Sequence, residues 1–338
     1  MRLWIDLANS PHVPFFRALA KRFIAAGHEI EVTAREFAET IPLARAAGFA
    51  PQVVGEHAGR AVSAKAGGLV SRAWALSAWA RKRRRQFDLA ISHNSYSQIV
   101  AARVLGLRSV TLMDYEHQPA NHLAFRFASR IIVPASFPEQ QLRRFGAHAG
   151  KVRRYHGTKE DVYLADFQPD PSFGAQLSEL GVKPDNVLVL VRPPAHDALY
   201  HRFQNTLFDE ALTMLLANEN VQVILLPRND AQRAQYAALK GLVIPTAPLD
   251  GANLIAASDL VISAGGTINR EAAALGVPAA SIYAGKWAAV DEGLVSEGRL
   301  QRITNADNLR QLRIEKKRAV NPRGSREVID EVVRLIFE

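Results

Sequence analysis

The 338-residue chain is predicted to be an α/β protein of two domains, each built on a doubly wound parallel sheet. Three observations predict this. A single hydrophobic core seldom grows past roughly 250–300 residues, so a chain of this length divides into two cores of about 150 residues each. Both halves alternate short β-branched apolar runs with longer amphipathic stretches, the pattern of βαβ units. Between the halves, LADFQPDPSFG at residues 164–174 carries two prolines and no periodicity, which marks a linker.

In the first half, strands are predicted at residues 3–7, 30–34, 89–93, 109–113 and 131–135. A helix is expected over 13–26, where Phe15, Phe16, Leu19, Phe23 and Ile24 recur at helical spacing. In the second half, strands are predicted at 187–192, 221–227, 242–245, 260–263 and 279–283. Residues 325–337 place Val328, Ile329, Val332, Val333 and Ile336 on one helical face, as a terminal helix crossing back onto the first domain would require. The expected boundaries are 1–165, 166–322 and 323–338. Sheets of this type hold ligands at the carboxyl ends of their strands, so a central cleft between the domains is the expected site.

A hydrophobic share of 48% and a charged share of 22% exclude a disordered chain. The absence of cysteine excludes disulfides, thiolate catalysis and cysteine-bound zinc. The opening residues show no export signal and no apolar run reaches the roughly 18 residues of a membrane span, so a cytoplasmic protein is expected. Charge is uneven: residues 1–165 hold 24 basic and 12 acidic side chains, the remainder 18 and 21. A basic first domain suggests an anionic partner.

The strongest motif is SAGGTINREAAALGVP at residues 263–278. A strand runs through Ala-Gly-Gly-Thr into a helix. The glycines let backbone approach a ligand, Thr267 is expected to cap the helix, and the free amides there favour an anion by about 1 kcal/mol per well-placed charge. Glu271 follows about 6 Å along the axis at about 1.5 Å per residue, the separation of a diphosphate from its ribose. A carboxylate accepts both hydrogen bonds of a cis-diol. A tight packing turn followed by an exposed glutamate is the competing reading of the same residues.

This stretch resembles the nucleotide-sugar segment of glycosyltransferase-B (GT-B) enzymes, including the non-hydrolysing UDP-N-acetylglucosamine 2-epimerases and the peptidoglycan N-acetylglucosaminyltransferase. Over nearly the whole chain the sequence resembles the domain of unknown function 354 family, through WIDLANSPHVPFF, VTARE, LAISHNS, LLPRND, AGGTINREAA and SIYAGKWAAVDEGL. The resemblance implies GT-B architecture, with Gly265, Gly266 and Thr267 on a diphosphate and Glu271 on ribose. It also implies that Arg192, Pro227 and Arg228, at two further strand ends, lie near the phosphates and base; arginine forks suit diphosphate oxygens.

WIDLANSPHVPFFRALA is similar to the loop and helix that open the peptidoglycan transferase. Asn9, Ser10, Pro11 and His12 stand in place of its Gly-Gly-His turn, a departure that removes the glycines through which backbone would cradle an acceptor phosphate. His12 is a candidate general base, since imidazole with a pKa of about 6.5 accepts a hydroxyl proton at neutral pH; a merely capping histidine is the alternative. Asp114, Glu116, His117 and Asn121 follow a predicted strand, with Asp114 and Glu116 the other candidates for proton transfer. The epimerases carry two glutamates in the corresponding segment. Glu116 matches the first and Ala120 stands at the second, which counts against epimerisation. His93, Asn94 and Ser95 are expected to complete a polar wall, or else to be ordinary hydrogen-bonded loop residues.

Arg81, Lys82, Arg83, Arg84 and Arg85 follow a segment containing Trp74 and Trp79. Such a run is usually a solvated face; beside tryptophans it also suits peripheral contact with anionic lipid at the inner face of the membrane. No dinucleotide glycine fingerprint, phosphate loop, HExxH or DxD motif is present, so neither a cofactor nor a metal is expected to be required. The leading expectation is a UDP-sugar glycosyltransferase of cell-envelope or other glycan biosynthesis, acting on a glycan or lipid-linked acceptor. An epimerase or hydrolase of nucleotide sugars is the alternative, and a non-catalytic nucleotide-sugar binder a third. Nucleic acid is not expected as a partner, for want of aromatic stacking residues.

Overall fold

Runs such as WIDL and VLVLV lack the alternation of a half-exposed strand, and they are buried along nearly their whole length, as strands covered on both faces must be. The structure, a computed structural model, describes residues 1–37, 39–56, 62–83, 86–194, 206–318, 320–323 and 326–338. Two units emerge, Met1–Ala165 with Ser325–Glu338, and Asp166–Gly324.

The first unit contains β1 (Arg2–Leu7), β2 (Glu29–Glu36), β3 (Gln52–Glu56), β4 (Leu89–His93), β5 (Ser109–Leu112), β6 (Arg130–Pro134) and β7 (Val152–Tyr155). They form one parallel sheet in the order β3-β2-β1-β4-β5-β6-β7. The second unit contains β8 (Val187–Arg192), β9 (Val221–Leu225), β10 (Leu242–Val243), β11 (Leu260–Ser263), β12 (Ala279–Ser281) and β13 (Gln301–Arg302). Its parallel order is β10-β9-β8-β11-β12-β13. In each sheet the order reverses beside the first strand, at β1 and β4 and again at β8 and β11. Connections depart to opposite faces there and leave a crevice at the carboxyl ends, where doubly wound sheets take ligands.

Strands β3, β7 and β13 were not expected, because QVVGE, VRRY and QR are too short or too polar to show an apolar run. The helix His12–Ala25 buries Phe15, Phe16, Leu19 and Phe23, but Ile24, expected on the same face, is 63% exposed. The terminal helix Arg326–Phe337 returns to the first unit and joins its core through Val328, Ile329, Val332, Leu335 and Ile336. Arg130 donates to the carbonyls of Leu335 and Ile336, satisfying the open C-terminal end of that helix.

The two tryptophans near the arginine run separate. Trp79 packs on Trp4 and Phe87, with ring centroids 5.4 and 5.5 Å away, whereas Trp74 is 65% exposed. Arg81 and Lys82 are exposed, and Arg83 lies over the Trp79 ring and pairs with Glu31 at 3.1 Å. Arg84 and Arg85 lie outside the described residues. No described helix is long and apolar enough to cross a membrane.

Candidate functional site

At the reversal point of the first sheet the carboxyl end of β1 carries Asp6, fully buried. Its carboxylate accepts two bonds from Arg72, each 2.8 Å, one from Thr33 Oγ1 at 2.6 Å and one from Ser95 Oγ. Trp4 Nε1 donates in turn to Thr33 Oγ1 at 2.8 Å, and Arg72 Nε to the Val54 carbonyl at 2.8 Å. Burial by itself would raise the Asp6 pKa, but the Arg72 charge and the donors around the carboxylate outweigh it and hold the pKa below the usual value. The group is a satisfied, charged knot that ties β1, β2, β4 and the helix Val62–Arg81 together. Ser95 belongs to it, and also caps the helix Tyr96–Val104 by accepting from Gln98 N. It is thereby a structural residue.

Beyond the knot the chain ends of β1, β4 and β5 bring together a second set of buried groups: His12, His93, Asp114 and Lys159. The His12 and His93 rings lie 5.0 Å apart. Asp114 Oδ1 is 3.6 Å from His93 Nε2, and Asp114 Oδ2 accepts from Lys159 Nζ at 3.1 Å. Lys159 Nζ is also 3.5 Å from the fully buried Glu160 carboxylate. Among the described residues, His12 Nδ1 is buried without a hydrogen-bond partner. Burial, then the proximity of His93 and Lys159, hold the His12 pKa well below the usual value, only partly opposed by Asp114, so the imidazole is neutral at neutral pH. A neutral buried imidazole with an open ring nitrogen is a group able to accept a proton.

The other expected residues of this unit divide. Asn94 adopts the left-handed region, φ 61°, at the end of β4, a conformation that turns the chain sharply beside the histidines. Glu116 is buried with His117 Nε2 3.7 Å away. Asn9 accepts from Ser10 N and Ser10 Oγ lies 3.3 Å from Thr40 Oγ1, so both brace the β1 loop. Asn121, fully buried, donates to the Tyr115 carbonyl at 3.1 Å and accepts from Tyr96 OH at 3.2 Å. That pairing holds the loop after β5 in place.

In the second unit, Gly265 and Gly266 are half-buried and not sealed beneath side chains. The helix is Thr267–Leu275 and its N-cap is Gly266, with no side-chain cap bond. Thr267 is therefore the first helical residue and not the expected capping hydroxyl. The turn is braced from inside: Ser263 Oγ accepts from Gly265 N at 3.0 Å, and Asn269 Nδ2 donates to the Gly265 carbonyl at 2.9 Å. The first amides of the helix precede any intrahelical acceptor.

The glycines also make room for arginines. A Cβ on Gly265 would come within 2.8 Å of the Arg228 guanidinium, and one on Gly266 within 3.3 Å of that of Arg270. Arg228 is steered there by donating from Nε to the Pro193 carbonyl at 2.8 Å, while its amide bonds Gln232. Arg270 makes a two-pronged pair with Asp291, at 2.6 and 3.0 Å. Arg192 ends β8 beside Ser263, Pro227 follows β9, and Glu271 is half-buried one turn into the helix. Two arginines at or just past strand ends, a third paired with Asp291, and a helix start with bare glycines are thus grouped about this turn. Among the described residues no cluster of three or more histidine or carboxylate groups is placed to hold a metal ion.

A protein-family model matches residues 1–338, the full chain. The chain belongs to the DUF354 family. That family is described as proteins of unknown function. An uncharacterised protein of Methanocaldococcus jannaschii is 28% identical to this DUF354 chain over 303 residues, 88% of this chain and 86% of the relative. Among solved structures, the UDP-GlcNAc 2-epimerase of M. jannaschii in complex with UDP-GlcNAc and UDP superimposes with a TM-score of 0.74 at 14% identity, covering 100% of this chain and 99% of that one. The UDP-GlcNAc 2-epimerase of Neisseria meningitidis bound to UDP-GlcNAc gives 0.72 at 10% identity, covering 92% and 90%. The glycotransferase of kitacinnamycin gives 0.60 at 14% identity, covering 99% and 93%. At these identities the likeness is one of fold, and the fold is GT-B.

Sequence reasoning missed Asp6, Arg72, Lys159, Glu160, Arg270 and Asp291. Thr158 and Asp161 form a capping box, a signal visible in the TKED stretch that marks a helix start there. No comparable signal announces that this start sits against Asp114, 45 positions earlier in the chain.

Proposed function

We propose that this DUF354 chain is a glycosyltransferase that takes a UDP-type sugar donor on its second unit and an acceptor hydroxyl, of a glycan or a lipid-linked sugar, on its first. The observation that carries this reading is the Gly265–Gly266 turn with the Arg228 guanidinium lying over it. Bare amides at the positive end of a nine-residue helix, beside an arginine fork, suit a diphosphate. The UDP and UDP-GlcNAc held by the M. jannaschii epimerase of the same fold support the uridine part. Glu271 takes the ribose diol. Arg192 and Arg228 stabilise the charge that builds on the departing UDP, a role that preorganised cations and amides fill without a required metal.

On the first unit His12 accepts the acceptor proton as the hydroxyl oxygen attacks the anomeric carbon and the bond to UDP breaks. Asp114, paired with Lys159 and close to His93, is a less available base, and its carboxylate offsets the imidazolium that forms. Glu116, beside His117, is the remaining candidate. Epimerisation is the second reading, favoured by the epimerases among the structural neighbours and disfavoured by Ala120 at the place of a second glutamate. Incubation with UDP-sugars, with and without glycan acceptors, tests both. UDP release that depends on acceptor is expected; sugar inversion without acceptor would establish the epimerase instead, and absence of any nucleotide binding would end both readings.

A further inference from the structure

Between Glu56 and Asp114 the sequence holds ten basic residues and a single acidic one, Asp88. One of the ten, Arg72, is buried on Asp6, and Asp88 accepts from the Arg2 amide. Four of the others, Arg81, Lys82, Arg103 and Arg108, are exposed and lie at or just past the ends of two helices of the first unit. The helices Val62–Arg81 and Tyr96–Val104 pack side by side there. Leu76 and Ala80 share a cluster with Ala101 and Ala102, against which Leu105 and Leu107 pack, and Ser97 Oγ donates to the Leu69 carbonyl. Both helices connect parallel strands of one sheet, so both end at the same edge of it.

The outward side of the first of these helices is unusual for a surface helix. Its exposed positions from 67 to 78 are Gly67, Val70, Ser71, Trp74, Ala75 and Ala78, with no charge among them. Val70 is 55% and Trp74 65% exposed. A solvated helix face normally carries charged side chains. The charges begin where this helix ends, at exposed Arg81 and Lys82, and recur at the end of the neighbouring helix, where exposed Arg103 and Arg108 flank Val104, 55% exposed. An amphipathic indole and small apolar side chains bordered by exposed cations match the interface of an anionic bilayer, where the rings sit at headgroup level and the cations meet phosphate.

We propose that this two-helix face, through Val70, Trp74, Arg81, Lys82 and Val104, docks the protein on an anionic lipid surface. A small-residue helix face alone would also suit a second copy of the chain, but the exposed basic residues at both helix ends favour a negatively charged partner over self-association. The inference is independent of the nucleotide reading, because docking is measured without nucleotide.

The experiment is sedimentation of the full chain with phosphatidylcholine vesicles, with and without phosphatidylglycerol, alongside tryptophan fluorescence. Trp4 and Trp287 are buried and Trp79 is packed on Trp4, so Trp74 is the fluorophore that changes environment. Expected are sedimentation only with phosphatidylglycerol, a blue shift lost in Trp74→Ser, and at least a roughly tenfold loss of partitioning in Arg81→Gln/Lys82→Gln, weakening further with salt. All the substituted positions are exposed, and unchanged thermal unfolding confirms intact folds. Equal binding to both vesicle types, no binding to either, or a blue shift that tracks doubling of mass in light scattering without lipid would overturn the proposal.

Discussion

The two sheets reverse their strand order in the same way, yet the two reversal points are furnished with opposite materials. In the second unit the carboxyl ends of β8, β9 and β11 offer backbone amides, bare glycines, the half-buried Arg192 and the exposed Arg228. In the first unit the end of β4 and the segments that follow β1, β5 and β7 offer buried titratable side chains, two histidines and a lysine among carboxylates. The first arrangement presents amide donors and a charge that is already fixed. The second can change its own protonation state. Shared topology thus sets where the polar groups gather, and the side chains delivered there set their chemistry.

The sharpest way to break this comparison is to ask whether the first site depends on the Asp6 knot. Asp6→Ala leaves Arg72 as a buried, unpaired cation and is expected to destabilise the fold by about 3–5 kcal/mol. Urea unfolding reads this directly; a loss under about 1 kcal/mol would mean that solvent reaches Arg72 and the knot is not structural. A smaller effect is expected on the second site, where Glu271→Ala should weaken UDP affinity by about 1.5–3 kcal/mol without changing stability. Isothermal titration with UDP measures it, and an unaltered affinity would remove Glu271 from the ribose.

The smallest effect belongs to His12. Its folded pKa lies below that of the unfolded chain, so the unfolded state binds more protons between the two values and stability rises with pH through that interval. The contribution is complete above about pH 6.5 and is lost as pH falls toward the depressed value. His12→Gln should flatten the acid side of the stability curve below about pH 6.5, while the Asp6 contribution, from a depressed carboxyl pKa, is lost only below about pH 4. A parent and variant with parallel curves would show that His12 titrates normally.

Much of the scaffold was legible because its cause is local. Buried parallel strands need unbroken apolar runs, so LWIDL, LAISH, VLVLVR and LVIS could be read directly, and the glycines at 265 and 266 announced a close approach of backbone to something. Strands β3, β7 and β13 could not, since edge or short strands are held by their neighbours and not by their own composition. The helix start at Thr267 was readable to within one residue, but its capping was not: Ser263 and Asn269 brace the turn from inside, and only their approach in space assigns them that task.

What the sequence by itself determined was therefore the order of the buried elements, the two cores and the position of the glycine turn before Thr267, all properties of neighbouring residues. Only the tertiary structure decided which polar groups meet. Asp6 and Arg72 are separated by 66 positions, and Asp114 and Lys159 by 45. Only burial among their new neighbours turns ordinary side chains into a fixed ion pair in one case and a buried titratable cluster in the other. Trp74 and Trp79 make the same point at shorter range: five residues apart on one helix, they face in different directions, and the sheet behind the helix covers only one of them.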